Sequence, residues 1–283
     1  LANKMRAALK MLGMIIGVGS VVLLVSIGNG AKNYITQEFE GMGTNLISVQ
    51  PGKSDKKGIF KGGFGGAKKK LTLLDVQALE RQATPIEAVT GITFGSAAIE
   101  RGGLTSNSNI LGCNENFVRV LNVTVASGVF FTREEDDYAR RVVVLGANVS
   151  KILFPDSAPI GQWVKINESE FRVIGVLQES GSTLGFNMDD IAFLPTRTSL
   201  RLMNDDKLMG IRIKAKSKSG IQDTVDEVTE ILRRRQNNEE NFTVITQVSM
   251  MQTMNTILGM LTYVLGGIAM ISMLVGGIGI MNI

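Results

Sequence analysis

Two long stretches without a charged residue lie near the ends of this 283-residue chain, Met11–Ala31 and Asn241–Ile283. A helix needs about 20 mostly apolar residues to cross the roughly 30 Å hydrocarbon core of a membrane. Each stretch contains an apolar run long enough for this, Met11–Ile27 in the first and Ile257–Ile283 in the second. The sequence therefore predicts two transmembrane helices, one on each side of a long polar segment.

Basic residues predict the orientation of the first helix. Lys4, Arg6 and Lys10 precede the first apolar run, and no acidic residue occurs before Glu38. Short basic flanks remain in the cytoplasm, so residues 32–256 are expected to be extracytoplasmic. The run is longer than the apolar core of a signal peptide, and no small-residue cleavage site follows it. We therefore expect a retained anchor.

Apolar residues continue at helical spacing beyond both predicted spans, which predicts that each membrane helix extends outward as a stalk. Such stalks would couple the membrane to the segment between them. The stripe residues expected to carry this coupling are Tyr34, Ile35, Phe39, Met42, Val248, Met251 and Met254.

Small residues four positions apart occur inside both predicted spans. Gly13 is followed by Gly17, and Ser272 is followed by Gly276. Such pairs allow helix backbones to approach closely in lipid. We expect these four residues to pack transmembrane helices together.

The residue types exclude several classes of enzyme. The chain contains no His, which removes Ser-His-Asp and Cys-His catalysis and His-ligated metal sites. Cys113 is the single cysteine, so it cannot form an intrachain disulfide, and it is expected to be a buried apolar residue. We expect no catalytic residue, metal site or cofactor in this segment.

The net charge of +4 does not indicate nucleic-acid binding. Three of the 30 basic residues precede the first span, leaving 27 against 26 acidic residues.

Residues 52–70 hold seven Lys, one Asp and six Gly, which predicts a solvated loop, with contacts to a partner or anionic lipid as the alternative. The run lacks the Gly-Lys-Ser/Thr of a phosphate loop.

An acidic run at Glu134–Asp137 has two interpretations. Four adjacent carboxylates could bind a hard cation. However, Thr132 followed by Glu135 forms a capping box, which explains the run as the start of a helix. We favour the helix start.

The pattern between the spans predicts an α+β fold in which one subdomain is inserted into another. Strand, helix and strand are expected at Asn45–Gln50, Thr72–Gln82 and Val89–Arg101, and again at Met209–Lys214, Ile221–Arg235 and Phe242–Thr246. The intervening region predicts further strands at Arg141–Gly146, Trp163–Ile166 and Phe171–Leu177. The expected organisation is spans and stalks at 1–43 and 248–283, a split α+β subdomain at 44–111 and 196–247, and a β-rich insert at 112–195.

Several short motifs resemble one family in the order in which they occur along the chain. Asn3-Lys4-Met5-Arg6, Gly43-Thr44-Asn45-Leu46-Ile47 and Leu153-Phe154-Pro155-Asp156 resemble the permeases of MacB-type ABC transporters. The run Gly276-Gly277-Ile278-Gly279 is similar to the start of the FtsX-like membrane region of that family. The chain begins with Leu1 and ends inside an apolar run, so we expect it to be a piece of a larger protein.

The resemblance implies a dimeric permease of the bacterial cytoplasmic membrane, with ATP hydrolysed by a separate or fused cytoplasmic ATPase. It implies that the two subdomains correspond to the porter-like and sabre-like parts of the family. Stalk movements would then act on a periplasmic adaptor, an outer-membrane channel or the substrate, without carrying substrate through the bilayer, which is termed mechanotransmission. Two alternatives remain: an FtsX-like regulator of cell-wall enzymes, and a sensor domain held between two membrane helices.

Overall fold

The computed structural model describes residues 45–52, 70–183, 186–239 and 241–281, together with residues 11, 15, 19, 22, 23, 25–31, 33 and 34. The chain divides into two units, one formed by Leu1–Phe39 with Val248–Ile283 and the other by Glu40–Gln247. We call the first unit the helix pair and the second the central domain. The predicted loop at 52–70 lies mostly outside the described residues.

The helix pair consists of a helical N-terminal segment and a long C-terminal helix. Every described residue from 11 to 34 is helical, and the second helix spans Gln247–Met281. Within the described part of the chain, no helix is both long and apolar enough to cross a membrane. Much of the predicted first span lies outside that part.

The central domain alternates short strands and helices. Its described strands are β1 (Leu46–Pro51), β2 (Ile86–Arg101), β3 (Leu104–Cys113), β4 (Val125–Gly128), β5 (Val142–Leu145), β6 (Trp163–Ile166), β7 (Ser169–Leu177), β8 (Ser182–Thr183), β9 (Phe186–Asn187), β10 (Ile191–Pro195), β11 (Gly210–Ala215) and β12 (Phe242–Thr246). Its α-helices are Leu73–Gln82, Phe117–Val120, Arg133–Asp137, Ala147–Leu153, Thr196–Met203 and Ile221–Arg235, and Met188–Asp190 is a 3-10 turn.

Four antiparallel strands and two helices form what we call the split sheet. The strand order is β12-β1-β11-β2. Helices Leu73–Gln82 and Ile221–Arg235 pack against it over one apolar cluster, which includes Ile47, Val49, Leu79, Ile211, Val228 and Leu232. Both predicted strand–helix–strand units are confirmed, and a Thr72–Asp75 capping box begins the first helix.

The remaining large strands close into a ring, which we call the barrel. The pairings run β2-β3-β10-β5-β7-β6 and return from β6 to β2 through Ile99 opposite Ile166. One apolar cluster draws residues from all six strands, so it fills the interior of the ring. Leu153 and Phe154, at the end of helix Ala147–Leu153, join that cluster.

Strand β2 belongs to both parts of the central domain. Its residues from Ile86 to Ile92 pair with β11, and those from Thr93 to Arg101 pair with β3. The change of partner therefore occurs near residue 92, within the predicted split subdomain and well before its expected boundary at residue 111. The barrel needs β2 and β3 to close, because β5, β6, β7 and β10 alone leave the ring open.

Candidate functional site: the joint between split sheet and barrel

Helix Thr196–Met203 carries the chain from β10 of the barrel back towards β11 of the split sheet. We call it the linking helix, and we call its contacts with β2 and β3 the joint. Ser199 lies at the centre of the joint, where its hydroxyl is 2.7 Å from the Thr93 hydroxyl on β2. The Thr93 hydroxyl also accepts the backbone N–H of Gly112 on β3 at 3.1 Å. One buried polar contact thus links the helix to two strands.

Two glycines let the linking helix approach the strands closely. A Cβ atom at Gly112 would overlap Thr93 Oγ1 and the side chain of Ser199, and a Cβ at Gly95 would lie 2.5 Å from Met203 Cε. Both glycines lie inside strands, where glycine otherwise weakens packing. Their role here is to make room for the helix.

The linking helix is held at its start by Asp136. The Arg197 backbone N–H donates to Asp136 Oδ1 at 3.0 Å, and the Thr198 hydroxyl donates to the Arg140 carbonyl at 2.9 Å. Asp136 is buried at the end of helix Arg133–Asp137, which begins with the predicted Thr132–Glu135 capping box. The acidic run is therefore confirmed as a helix start.

Burial raises the pKa of Asp136 to about 6, although the N–H and charge of Arg197 act in the opposite direction. A carboxyl with a raised pKa binds its proton more tightly in the folded chain than in the unfolded one. Its contribution therefore favours folding at acidic pH and is lost as the pH rises from about 4 to about 6.

We predict that Asp136→Asn removes this pH dependence, because the amide oxygen still accepts from Arg197 but carries no charge. A pKa difference of one unit corresponds to about 1.4 kcal/mol. Between pH 4 and pH 7, the free energy of unfolding of the variant should therefore rise by up to about 3 kcal/mol relative to that of the wild type. Chemical unfolding at the two pH values measures this. Asp137→Asn, whose side chain is about half exposed, is the matched control. Parallel pH profiles for wild type and Asp136→Asn would contradict the prediction.

An ion pair between a surface arginine and a buried aspartate ties together the two helices of the split sheet. Arg235 Nε lies 2.6 Å from Asp75 Oδ1, and Asp75 Oδ2 accepts the backbone N–H of Thr72 at 2.9 Å. Arg235 ends one helix, and Asp75 lies in the first turn of the other. The two predicted units are therefore joined by charge as well as by their apolar core.

The described residues include no group of three or more His, Cys, Asp or Glu placed to hold a metal ion. Cys113 is fully buried, as predicted, and burial raises the pKa of its thiol, with Asp136 and Glu115 acting in the same direction. A protonated, inaccessible thiol is a poor nucleophile.

The residues predicted from sequence to act in the helices are only partly described. Tyr34 and Val248 are helical and each 58% exposed, while Met251 and Met254 are half-buried. Ser272 and Gly276 lie within the C-terminal helix. Gly13, Gly17, Ile35, Phe39 and Met42 lie outside the described residues, so the packing and coupling roles stay predictions.

One helix contact was missed by the sequence reasoning. Gly28 is buried in the helix pair, and a Cβ there would lie 3.4 Å from Leu258 Cδ2. Both residues fall in the charge-free stretches, and the adjacent Gly28-Asn29-Gly30 is the signal that could have indicated a close approach. The joint residues Gly95 and Gly112 were missed as well, although a glycine inside a strand pattern points to close backbone contact.

Comparison with known proteins gives matches along the whole chain. Residues 7–231 match the MacB-like periplasmic core domain family. A macrolide export ATP-binding/permease protein MacB from Azoarcus sp. (strain BH72) is 35% identical across all of this chain and 42% of its own length. A pyoverdine export ATP-binding/permease protein PvdT from Pseudomonas fluorescens is 34% identical over 99% of the chain and 42% of its own length. The chain thus spans about two-fifths of these relatives.

Two solved structures share the fold. The periplasmic region of MacB from Actinobacillus actinomycetemcomitans superposes with a TM-score of 0.66 at 23% identity, covering 78% of this chain and 98% of its own. The extracellular domain of the ABC-type transporter YknZ from Gram-positive bacteria gives a TM-score of 0.59 at 18% identity, covering 71% of this chain and all of its own.

Proposed function

Because this chain belongs to the family of MacB-like periplasmic core domains, we propose that it is the membrane and periplasmic part of an ABC export permease. Its relatives are named as ATP-binding/permease proteins, which supports an ABC ATPase as its partner. ATP would bind to that partner. The chain's own role would be to transmit the conformational changes of the ATPase cycle to the periplasm.

The observation that carries this proposal is the position of the two ends of the central domain. Strand β1 begins at Leu46 and β12 ends at Thr246, and Ile47 is paired with Thr246. The segments leading to the two terminal helices therefore join the domain at adjacent positions. A change in the separation of those helices would act directly on the β1–β12 edge, and through β11 and β2 on the joint.

We further propose that the helix pair lies in the bacterial cytoplasmic membrane. Two features support this placement: the charge-free stretches at both ends, and the large apolar side chains that the described helices expose. These include Met11, Ile15, Leu23, Ile27, Met260, Val264, Ile268 and Ile271. Such an apolar surface is uncommon on a soluble monomer and fits burial in lipid or against other helices. Residues 32–256 would then face the periplasm.

The assembly we propose contains two copies of the permease, the ATPase and, in a tripartite pump, a periplasmic adaptor and an outer-membrane channel. Mechanotransmission requires movement of the periplasmic domains without passage of substrate through the bilayer. The split sheet and the barrel would be the porter-like and sabre-like parts.

One variant, Asn107→Cys, tests both the location and the coupling. Asn107 is exposed on β3, whereas the native Cys113 is fully buried, so an impermeant maleimide should label only the introduced cysteine. We predict labelling in intact cells, with the wild type unlabelled before and after lysis. Labelling that appears only after lysis would place the central domain in the cytoplasm.

The same cysteine, spin-labelled in the full-length transporter with its ATPase, reports on dimer formation and movement. We expect a measurable distance between the two copies that changes between the nucleotide-free and ATP-bound states. A matched sample whose ATPase binds but cannot hydrolyse ATP should hold the ATP-bound distance. An identical distance distribution in every nucleotide state would overturn the coupling.

A further inference from the structure

An open groove of about 670 Å³ lies beside the joint, between the start of helix Leu73–Gln82 and the end of the linking helix. Leu73, Leu74 and Leu200 line its apolar part. Leu74 is 62% exposed, although it lies in the first turn of a helix whose other apolar residues face a core. An exposed leucine in a concave site favours contact with another apolar group.

Cations outnumber carboxylates around this groove. Arg197, Arg201 and Lys207 line it, and Lys70 lies close enough to Lys207 that this neighbouring ammonium lowers the pKa of Lys70. Bringing two ammonium groups together is unfavourable unless negative charge is supplied nearby. Asp205, 3.4 Å from Lys207, supplies part of it, and Asp206 is the other carboxylate in the lining.

With Lys70 counted, four cations face three carboxylates (Asp137, Asp205 and Asp206), so the groove has an excess of one positive charge. Arg197 pairs with Asp137 at 3.8 Å and Lys207 with Asp205, and both pairs are solvent-exposed. Arg201 is exposed and makes no ion pair within the described residues. Exposed ion pairs of this kind contribute little to stability. A carboxylate of a bound ligand can therefore replace the aspartate in such a pair.

The groove combines apolar contact with cationic side chains on one wall, and this combination suits one kind of ligand. An inorganic anion could use the cations but would leave Leu74 exposed. A peptide with carboxylates and an apolar side chain uses both, and Arg can bind carboxylates through two hydrogen bonds. We propose that the groove binds a short acidic polypeptide segment, with its carboxylates on Arg201 and Lys207 and an apolar side chain over Leu74.

This binding site goes beyond the proposed export function, and its position would couple a bound segment to movement at the joint. The groove is lined by the first turn of a split-sheet helix and by the linking helix, so a bound segment would contact both sides of the joint. A partner bound there would respond to any change in the angle between split sheet and barrel.

Fluorescence anisotropy with the intact detergent-solubilised chain tests the proposal, using a labelled peptide that alternates glutamate and leucine. We expect saturable binding at physiological ionic strength. The double variant Arg201→Glu/Lys207→Glu should weaken it by at least about tenfold, and Leu74→Ser by several-fold. Lys218→Glu reverses one charge, as each of the two groove substitutions does, at an exposed residue outside the groove and should stay within about twofold of the wild type.

A peptide that alternates lysine and leucine provides a second, independent measurement. It should bind the double variant better than the wild type, which guards against the possibility that the variant merely misfolds. Absence of binding up to millimolar peptide, or equal weakening by Lys218→Glu, would overturn the proposal. Displacement by inorganic phosphate at equal concentration would assign the site to small anions. Groove-dependent binding of anionic lipid vesicles without peptide binding would assign it to the membrane surface.

Discussion

Replacing Met254 with proline is expected to abolish export by the full-length transporter while leaving ATP hydrolysis within about twofold of the wild type. Met254 lies seven residues into helix Gln247–Met281. Proline there removes a backbone N–H and clashes with the carbonyl four residues earlier, which costs about 3 kcal/mol or more in a helix interior. If the helix transmits force to the β1–β12 edge, a kink at this point disconnects the ATPase from the periplasmic domain.

Export is measured by cellular resistance or secretion, and ATP hydrolysis by phosphate release from the purified protein. Met254→Ala is the matched control, since alanine removes the same side chain but preserves the helix, and it should retain export. Both variants must first show wild-type levels in the membrane. Full export by a well-expressed Met254→Pro variant would mean that the helix is a spacer.

The second large effect is expected at the joint, where Gly112→Val should destabilise the central domain by about 3–5 kcal/mol. Any side chain at Gly112 overlaps the Thr93 hydroxyl and Ser199, both of which are buried. To accommodate valine, the linking helix must move away and break the Thr93–Ser199 hydrogen bond. This leaves buried hydroxyls without partners, which adds to the steric cost.

Trp163 provides a direct measurement, because it is the single tryptophan of the chain and lies on β6 of the barrel. Denaturant unfolding followed by its fluorescence should give a lower midpoint for Gly112→Val than for the wild type. Gly220→Ala is the control, because a Cβ there comes within 3.4 Å of only the flexible side chain of Ser217. Equal midpoints for Gly112→Val and Gly220→Ala would contradict a tightly packed joint.

Local patterns were sufficient to predict most elements of the central domain. Helix Ile221–Arg235 and strand Phe242–Thr246 have the predicted bounds. Strand Trp163–Ile166 also has its predicted bounds. These elements depend on periodicity, capping residues and turn residues, all of which are properties of neighbouring positions.

What the sequence could not predict depends on long-range pairing. Nothing in the run from Leu104 to Cys113 indicates that it pairs in parallel with Ile191–Pro195, about 80 positions later, and this pairing moves β3 into the barrel. The same is true of the joint, because the contact of Ser199 with Thr93 joins residues 106 positions apart. The predicted stalk residues remain untested, since most of the first stripe lies outside the described residues.

The pairing of β1 delays completion of the split sheet during synthesis of the chain. Its partners are β11 and β12, so Ile47 meets Ile213 and Thr246 only after almost the entire domain has been synthesised. The barrel strands β3, β5, β6, β7 and β10 are complete by residue 195. They can pair with one another while β1 is still unpaired on both edges. Loops this long slow the closing contacts. A nascent chain stalled before residue 210 would therefore carry a folded barrel and an unpaired β1, the form most exposed to aggregation and proteolysis.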